Sequence, residues 1–365
     1  MKNILKLNKI SPIINTVFNE GYTLGDDIVN PDGILVRSFN MSEYAVGENL
    51  VAIARAGAGV NNIPIDEMAK KGIVVFNTPG ANANAVKELV LCGMLLASRD
   101  IIGGNKWVNS LTENVAKATE KGKSAFAGHE IFGKTLGVVG LGAIGRLVAN
   151  ACVKLGMNVI GYDPYLNENM KSMLDEHVNT VSLEELMAQS DIITLHVPFT
   201  DSTKNMINAD VIDTMKSGVI ILNMARGALV NTDDVKKAIN EGKVHKYVVD
   251  FPDENVLNTE GIIVIPHLGA STEEAEDNCA VMAGKELIEY IENGNIINSV
   301  NYPCISKERT DGKVRTCILF NSEDKDNVEK LDGDKAVAAR GNYGYAIIDA
   351  DEKIDFPNAL KIRTL

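Results

Sequence analysis

The chain has 365 residues and is 45% hydrophobic, so it can bury a large core and is long enough for two or three domains. Its formal net charge of -13 repels polyanions, which argues against nucleic acid or an anionic membrane surface as a partner. The five cysteines show no close pair, no apolar run is long enough for a bilayer, and residues 1–18 lack the apolar block of a signal peptide. We therefore expect a cytoplasmic protein without disulfides.

The first hundred residues alternate short apolar runs with one helical pattern. Strands are predicted at 33–37, 51–55 and 73–76, and a helix at 64–70. Longer helical patterns at 83–101 and 272–292 would lead out of this unit and back into it. We therefore expect a flavodoxin-like substrate-binding domain at residues 1–97, completed by about 281–305.

Between residues 131 and 267 the alternation is regular and longer. Such alternation of β-branched runs and helical patterns is typical of a parallel sheet flanked by helices. The predicted strands are 135–139, 158–162, 191–197, 219–222, 247–249 and 262–265, and the predicted helices are 144–154, 183–189, 209–215 and 232–240. The expected fold class is thus α/β, with a Rossmann dinucleotide-binding domain at residues 98–280.

After residue 305 the composition becomes more charged. From Lys313 the pattern predicts strand, helix, strand, strand, helix, as in a small α+β module. We place this third domain at residues 306–365.

A glycine turn with Gly140, Gly142 and Gly145 follows an apolar run and opens a helix. In that context the first glycine permits a tight turn, the second lets the backbone approach a pyrophosphate, and the third lets helix and strand pack closely. Asp163 ends the next strand, where a carboxylate can accept hydrogen bonds from the ribose of NAD and would repel the extra phosphate of NADP. The alternative is that the glycines form only a structural turn.

Arg226, Glu254 and His267 follow later strands, and ligands of open α/β sheets lie outside the carboxyl ends of the strands. Oxidation of a secondary alcohol needs a base, and histidine titrates near neutral pH. A carboxylate would orient that imidazole, and an arginine would bind a substrate carboxylate. Taken singly, each residue has a structural alternative: a histidine capping a loop, an exposed glutamate or a surface arginine.

The segments 223–227 and 266–272, together with the glycine turn, resemble the D-isomer-specific 2-hydroxyacid dehydrogenases. The resemblance implies Arg226 as the substrate-anchoring arginine, Glu254 as the histidine partner and His267 as the acid/base. It also implies that NAD is bound by a set of residues around the glycine turn and the later strand ends. These are Gly140, Gly142, Ala143, Ile144, Gly145, Asp163, His196, Pro198, Ala225, Asp250 and Gly269.

The segments 55–62 and 77–80 resemble family members that act on a phosphorylated hydroxyacid. The implied substrate-binding residues are Arg55, Ala56, Gly57 and Asn77, with Lys87 as a weaker candidate. Arg55 could instead pair with a neighbouring acid, although glycine-rich backbone offers amides to an anion. Unphosphorylated hydroxyacids remain alternatives, and no metal is expected.

The tail from residue 313 resembles a shortened ACT regulatory domain. Its first strand lacks the histidine and turn glycine of ligand-binding versions, so serine feedback is not expected. The tail either pairs subunits or is an appendage without a function of its own. We expect a homodimer or homotetramer. A second hypothesis for the whole chain is a binding protein that senses NAD, as corepressors on this scaffold do, because fold alone does not decide function.

Overall fold

Alternating strands and helices fold into two units in the computed structural model, which describes residues 1–365. Unit 1 comprises Met1–Asn82 and Glu273–Leu365, and unit 2 comprises Ala83–Thr272. The helix that begins at Ala83 lies in unit 2 because Val90 and Met94 are buried in the same core cluster as the first strand of that unit. The predicted domains, with boundaries near residues 97, 280 and 305, each carry an expected function. Those domain assignments stay predictions.

The N-terminal part of unit 1 is a parallel sheet. Its strands are ordered β2-β1-β3-β4-β5, and the apolar run of β3 is buried at all four residues, as expected where helices cover both faces. The first two strands were not predicted. The elements are β1 (Lys2–Leu7), β2 (Tyr22–Gly25), β3 (Gly33–Val36), β4 (Ala52–Arg55), α1 (Ile65–Lys70) and β5 (Val74–Phe76).

Unit 2 holds a seven-stranded parallel sheet, ordered β12-β11-β10-β9-β6-β7-β8. All six strands predicted for this part of the chain are present, which confirms the Rossmann-like α/β fold, and β8 is an additional edge strand. The helices are α2 (Ala83–Ser98), α3 (Ile101–Val108), α4 (Val115–Gly122), α5 (Ala143–Lys154), α6 (Glu168–Ser172), α7 (Leu183–Gln189), α8 (Ala209–Thr214) and α9 (Thr232–Asn240). The strands are β6 (Thr135–Val139), β7 (Asn158–Tyr162), β8 (Val178–Thr180), β9 (Ile192–Leu195), β10 (Val219–Asn223), β11 (Val244–Val249) and β12 (Ile262–Val264).

The helix predicted at 83–101 is present as α2, which ends three residues earlier than predicted. The helix α2 ends at Ser98, and α3 begins after Asp100, whose side chain accepts a hydrogen bond of 2.9 Å from the amide of Gly103. An aspartate in that place satisfies an otherwise unpaired amide of a helix start. The predicted end of the helix is therefore three residues too late, because the cap of the next helix lies inside the predicted range.

The remaining part of unit 1 begins with a 21-residue helix and continues into an antiparallel sheet ordered β14-β15-β13-β16. The final helix predicted for the tail is wrong, because that segment pairs with β13 as a fourth strand. The elements are α10 (Glu273–Asn293), β13 (Val314–Asn321), α11 (Lys325–Val328), β14 (Asp334–Arg340), β15 (Tyr343–Ala350) and β16 (Lys361–Thr364).

One face of the tail sheet is part of the core of unit 1. Leu319 and Ile347 lie in the same buried cluster as Phe76 of β5 and Tyr290 of α10. The tail and the parallel sheet therefore share one hydrophobic core. Among all the helices, none combines the length and the apolar character needed to cross a membrane.

Candidate active site

The glycine turn between β6 and α5 has the geometry of a phosphate cradle. Gly140 has a φ of 92°, which favours glycine, and a Cβ on Gly145 would overlap the carbonyl oxygen of Gly140. A Cβ on Gly142 would have no atom within 4 Å, so the space in front of this residue is open. Since α5 starts at Ala143 and runs for 12 residues, its free amides face that space, and the turn fits the pyrophosphate of NAD.

Asp163 lies directly after β7, beside the glycine turn. One carboxylate oxygen accepts a hydrogen bond from the amide of Leu141 and the other from the amide of Tyr165, both at 2.9 Å. These bonds fix a half-buried carboxylate next to the cradle. This placement fits hydrogen bonding to a ribose.

His196 follows β9, the other neighbour of β6. Its amide donates to the carbonyl of Val139 at 2.7 Å, and its ring nitrogen Nε2 lies 2.9 Å from the hydroxyl of Thr194. Burial lowers the pKa of His196 to about 3, so the imidazole is neutral at physiological pH. A neutral imidazole beside the glycine turn fits the expected role of His196 as a residue that lines the NAD site. Pro198 is exposed in the loop that follows.

Arg226 lies in the loop after β10, which the buried side chain of Asn223 holds. The Asn223 carboxamide oxygen accepts hydrogen bonds from the amides of Ala225 and Arg226, and its nitrogen donates to the carbonyl of Arg226. The guanidinium of Arg226 is exposed and donates to the carbonyl of Ala225 at 2.6 Å. Asn223 is thus a positioning residue that the sequence reasoning missed.

His267 lies in the loop after β12, and Asp250 holds that loop from the end of β11. The Asp250 carboxylate is 1% exposed and accepts hydrogen bonds of 2.8 Å from the amides of Leu268 and Gly269. Burial raises the pKa of this carboxyl, against the effect of the two amides. Both oxygens are engaged by the loop, so Asp250 orients the segment that carries His267. Its proposed contact with nicotinamide stays a prediction.

The ring of Phe251 brings Arg226 and His267 together. It lies 4.9 Å from the imidazole of His267, measured between ring centroids, and 5.8 Å from the guanidinium carbon of Arg226. Two of the three predicted catalytic side chains therefore contact one aromatic ring. Sequence reasoning did not single out Phe251, although its position directly after Asp250 at a strand end was visible.

Glu254 is exposed and makes neither a hydrogen bond nor an ion pair with His267. Its loop is held elsewhere: the carboxylate of Asp253 accepts from the amides of Asn255 and Val256, and Val256 is buried. The side chain of Asn255 donates to Asp233 of α9. The structure therefore places Glu254 in a loop tied to α9, and its role as histidine partner stays a prediction.

In unit 1 the loop after β4 holds the predicted substrate residues. The amide of Ala56 donates to the carbonyl of Val36 at 2.8 Å, and that of Gly57 donates to Arg55 at 2.9 Å. Both amides expected to bind an anion are thus engaged. The amides of the next two residues, Ala58 and Gly59, make no backbone hydrogen bond, so they are the amides of this loop that could donate to an anion.

Arg55 and Asn77 support the same loop. The Nε of Arg55 donates to the carbonyl of Arg37 at 3.1 Å, and its guanidinium occupies the space that a Cβ on Gly57 would need. The side chain of Asn77 donates to the carbonyl of Ala58 at 2.6 Å. These contacts fix the loop, and the substrate roles of the four residues stay predictions.

Residues 91–269 match the family model described as D-isomer specific 2-hydroxyacid dehydrogenase, NAD binding domain. The chain is 37% identical over 305 residues to the D-3-phosphoglycerate dehydrogenase of Methanocaldococcus jannaschii, which covers 81% of this chain and 56% of the relative. It is 39% identical over 254 residues to the hydroxypyruvate reductase of Thermotoga maritima, covering 67% of this chain and 78% of the relative. The chain spans about half the length of several curated relatives that it matches.

A solved structure with a similar fold is the NAD⁺-bound 3-phosphoglycerate dehydrogenase of Entamoeba histolytica. It superposes with a TM-score of 0.65 at 27% identity and covers 82% of this chain and 98% of that one. The similarity thus extends through both units rather than the NAD-binding segment alone.

Proposed function

Because the chain belongs to the D-isomer-specific 2-hydroxyacid dehydrogenase family, we propose that it oxidises D-3-phosphoglycerate to 3-phosphohydroxypyruvate with NAD. This reaction is the first step of L-serine biosynthesis. The observation that carries the proposal is the placement of Arg226 and His267 against one ring, at the ends of the two strands that flank β11. Relatives named D-3-phosphoglycerate dehydrogenase support the substrate.

The roles of the residues follow from their chemistry. When bound, NAD supplies the acceptor for the hydride of the substrate carbon. His267 takes the proton of the hydroxyl group, since an imidazole is the side chain suited to that transfer near neutral pH. Arg226 binds the substrate carboxylate with paired donors and polarises the carbonyl that forms. The backbone of Gly140 and Gly142 holds the cofactor.

A phosphorylated substrate has two anionic ends, which a chain with a net charge of -13 must hold with local donors. Arg226 serves one end. Arg55 and the two unengaged amides after Gly57 are proposed to bind an anionic group, because backbone amides and a guanidinium together suit an oxyanion. The loop is already ordered by Asn77, so little ordering is needed on binding.

The assay follows NAD reduction by nicotinamide absorbance with D-3-phosphoglycerate as substrate. We expect turnover by the wild-type chain and a fall in kcat of about 10²- to 10⁴-fold in His267→Ala, with NAD affinity retained. Val211→Ala on α8, outside the strand ends that carry the site, is the control.

Two results would redirect the proposal. Preference for glycerate over phosphoglycerate would favour the second candidate, a hydroxypyruvate reductase, which the similarity to the Thermotoga maritima enzyme supports. Absence of turnover with any D-2-hydroxyacid, with NAD still bound, would contradict the enzyme and leave an NAD-sensing binding protein.

The tail is proposed to be an ACT-like module that has lost its second helix. Both β13 and β14 pair antiparallel with β15, so β13 and β14 are parallel with a strand between them and α11 connecting them. This is the split β-α-β arrangement of ferredoxin-like modules. We further propose that the chain forms a homodimer or homotetramer. We also propose that it lies in the cytoplasm, and the five unpaired cysteines support that compartment.

A further inference from the structure

Phe251 stands at the end of the middle one of three neighbouring strands. The order β12-β11-β10 puts β11 between the other two, and all three run parallel. Their carboxyl ends meet at one edge of the sheet, where His267 follows β12 and Arg226 follows β10. A side chain that follows β11 is therefore the one placed to contact both.

Both contacts of the ring fall within the ranges of attractive interactions. Aromatic pairs prefer centroid separations of about 4.5–7 Å, and the pair of Phe251 with His267 measures 4.9 Å with an angle of 49°. A guanidinium within about 6 Å of a ring centroid is attracted to its face, and Arg226 lies at 5.8 Å. The ring thus stabilises one orientation of each side chain.

Neither catalytic side chain is oriented by a hydrogen bond from another side chain, although the imidazole of His267 also interacts electrostatically with the carboxylate of Asp250. The imidazole of His267 makes no hydrogen bond, and the guanidinium of Arg226 donates only to the carbonyl of its neighbour Ala225. Glu254, the residue expected to orient the imidazole, forms no hydrogen bond or ion pair with it. Both side chains are exposed, so without the ring they would sample several rotamers.

Phe251 itself is held firmly enough to act as a support. The preceding residue, Asp250, is buried, and its amide donates to the carbonyl of Asn223 at 3.1 Å. The ring packs on the core of unit 2, and a Cβ on Gly227 would lie 3.4 Å from the Cβ of Phe251. Phe251 therefore packs at ordinary van der Waals distance from the loop that carries Arg226.

We propose that Phe251 is a positioning residue that holds the imidazole of His267 and the guanidinium of Arg226 in the arrangement needed for hydride transfer. The proposal rests on the proposed function, since it assigns the ring to that same site. Positioning of reacting groups is worth large factors in rate, and a displacement of about 1 Å can cost about 100-fold.

The kinetic test compares two substitutions. Phe251→Leu keeps the apolar character and removes the ring, and we expect kcat/KM for D-3-phosphoglycerate to fall about 10- to 100-fold with NAD affinity unchanged. Phe251→Tyr keeps the ring and should recover most of the loss. Phe132→Leu, in the segment before β6, is the matched control. An equal loss in both Phe251 variants would overturn the proposal.

A second measurement does not depend on turnover. The ring current of Phe251 should displace the Cε1 proton resonance of His267, one of five histidines, which is assigned by its absence in His267→Gln. The displacement should vanish in Phe251→Leu and persist in Phe251→Tyr, and an unchanged resonance in Phe251→Leu would overturn the proposal. If the wild-type chain oxidises no D-2-hydroxyacid, the proposed function fails, and this resonance alone decides whether the ring holds His267.

Discussion

His267 has a backbone φ of 54°, in the left-handed region that residues other than glycine seldom adopt. Such a conformation persists when surrounding contacts over-determine it. Here the carboxylate of Asp250 accepts hydrogen bonds from the amides of Leu268 and Gly269, the two residues that follow His267. The buried carboxylate of Asp250 therefore fixes the backbone from which the imidazole projects, while Phe251 holds the imidazole itself.

Asp250→Asn should weaken this arrangement. A carboxamide retains one acceptor oxygen but turns an NH₂ group toward the second amide, so we expect the free energy of unfolding to fall by about 1–3 kcal/mol. Urea titration followed by circular dichroism measures this change, and kcat should fall with it because the His267 loop is no longer fixed.

The matched control is Asp253→Asn. The Asp253 carboxylate is exposed and accepts hydrogen bonds from two loop amides through the single oxygen Oδ1, which asparagine retains. The free energy of unfolding should therefore change by less than about 0.5 kcal/mol. Equal losses in the two variants would contradict the special role of the buried carboxylate.

At this scale the sequence identifies residues but not their contacts. Arg226 and His267 are recognisable because each follows a predicted strand with a characteristic motif. The contact of Phe251 with both depends on strand order and side-chain rotamers, which residue spacing does not specify. For the same reason residue spacing does not specify how near Glu254 lies to His267, since the loop of Glu254 is also tied to α9 through Asn255.

Among the elements, α10 contains a buried acid that none of the proposed roles uses. One oxygen of Glu286 accepts a hydrogen bond of 2.6 Å from Asn298, and the other has no partner. Burial raises the pKa of Glu286 from its ordinary value to about 7, and the bond from Asn298 only partly opposes the shift. The folded protein therefore keeps this proton at a pH where the unfolded chain has lost it.

The stability of unit 1 should consequently fall as pH rises from about 4.5 to about 7, because the folded state binds more protons over this range. The full contribution is about 3 kcal/mol. Glu286→Gln should remove this pH dependence and be the more stable variant at pH 8, as measured by urea unfolding at pH 5 and pH 8. Glu274→Gln, in the exposed first turn of α10, is the control. Parallel pH profiles for wild type and Glu286→Gln would contradict the assignment.

Elements with a strong apolar pattern were predictable from the sequence, and weakly patterned ones were not. The bounds of β6, β7, α7 and α9 agree with the prediction, since each has a continuous apolar run or a clear helical period. The strand β8 has three residues, two of them exposed, and offers no such pattern. The last strand, β16, alternates Ile362 and Arg363 between two faces, which four residues are too few to distinguish from a helix.

For the whole chain, the main feature that the sequence did not reveal is how the tail caps α10. Two arginines of the tail donate to carbonyls at the end of this helix: Arg363 to Tyr290 and Ile291, and Arg315 to Asn293. The guanidinium of Arg363 also lies 4.4 Å from the ring of Tyr290. Terminal carbonyls of a helix have no partner within it and favour cations. The tail therefore completes unit 1.

Removal of residues 306–365 should prevent unit 1 from folding. It would expose the core face that Leu319 and Ile347 cover, and each buried apolar side chain contributes about 1.5–3 kcal/mol against a total stability of about 5–15 kcal/mol for a domain. Limited proteolysis with mass spectrometry should then show cleavage within residues 1–82 while residues 83–272 resist.

Arg363→Met separates the capping of α10 from the burial of the tail. It leaves the tail in place and keeps an apolar side chain at this position, but it removes the guanidinium that donates to the helix carbonyls. We expect a loss of about 1–2 kcal/mol in the free energy of unfolding. Lys353→Ala, in the exposed loop before β16, should change it by less than about 0.5 kcal/mol. A truncated chain that resists protease as the full chain does would show that the tail is an appendage, and an Arg363→Met variant as stable as wild type would show that the caps carry no free energy.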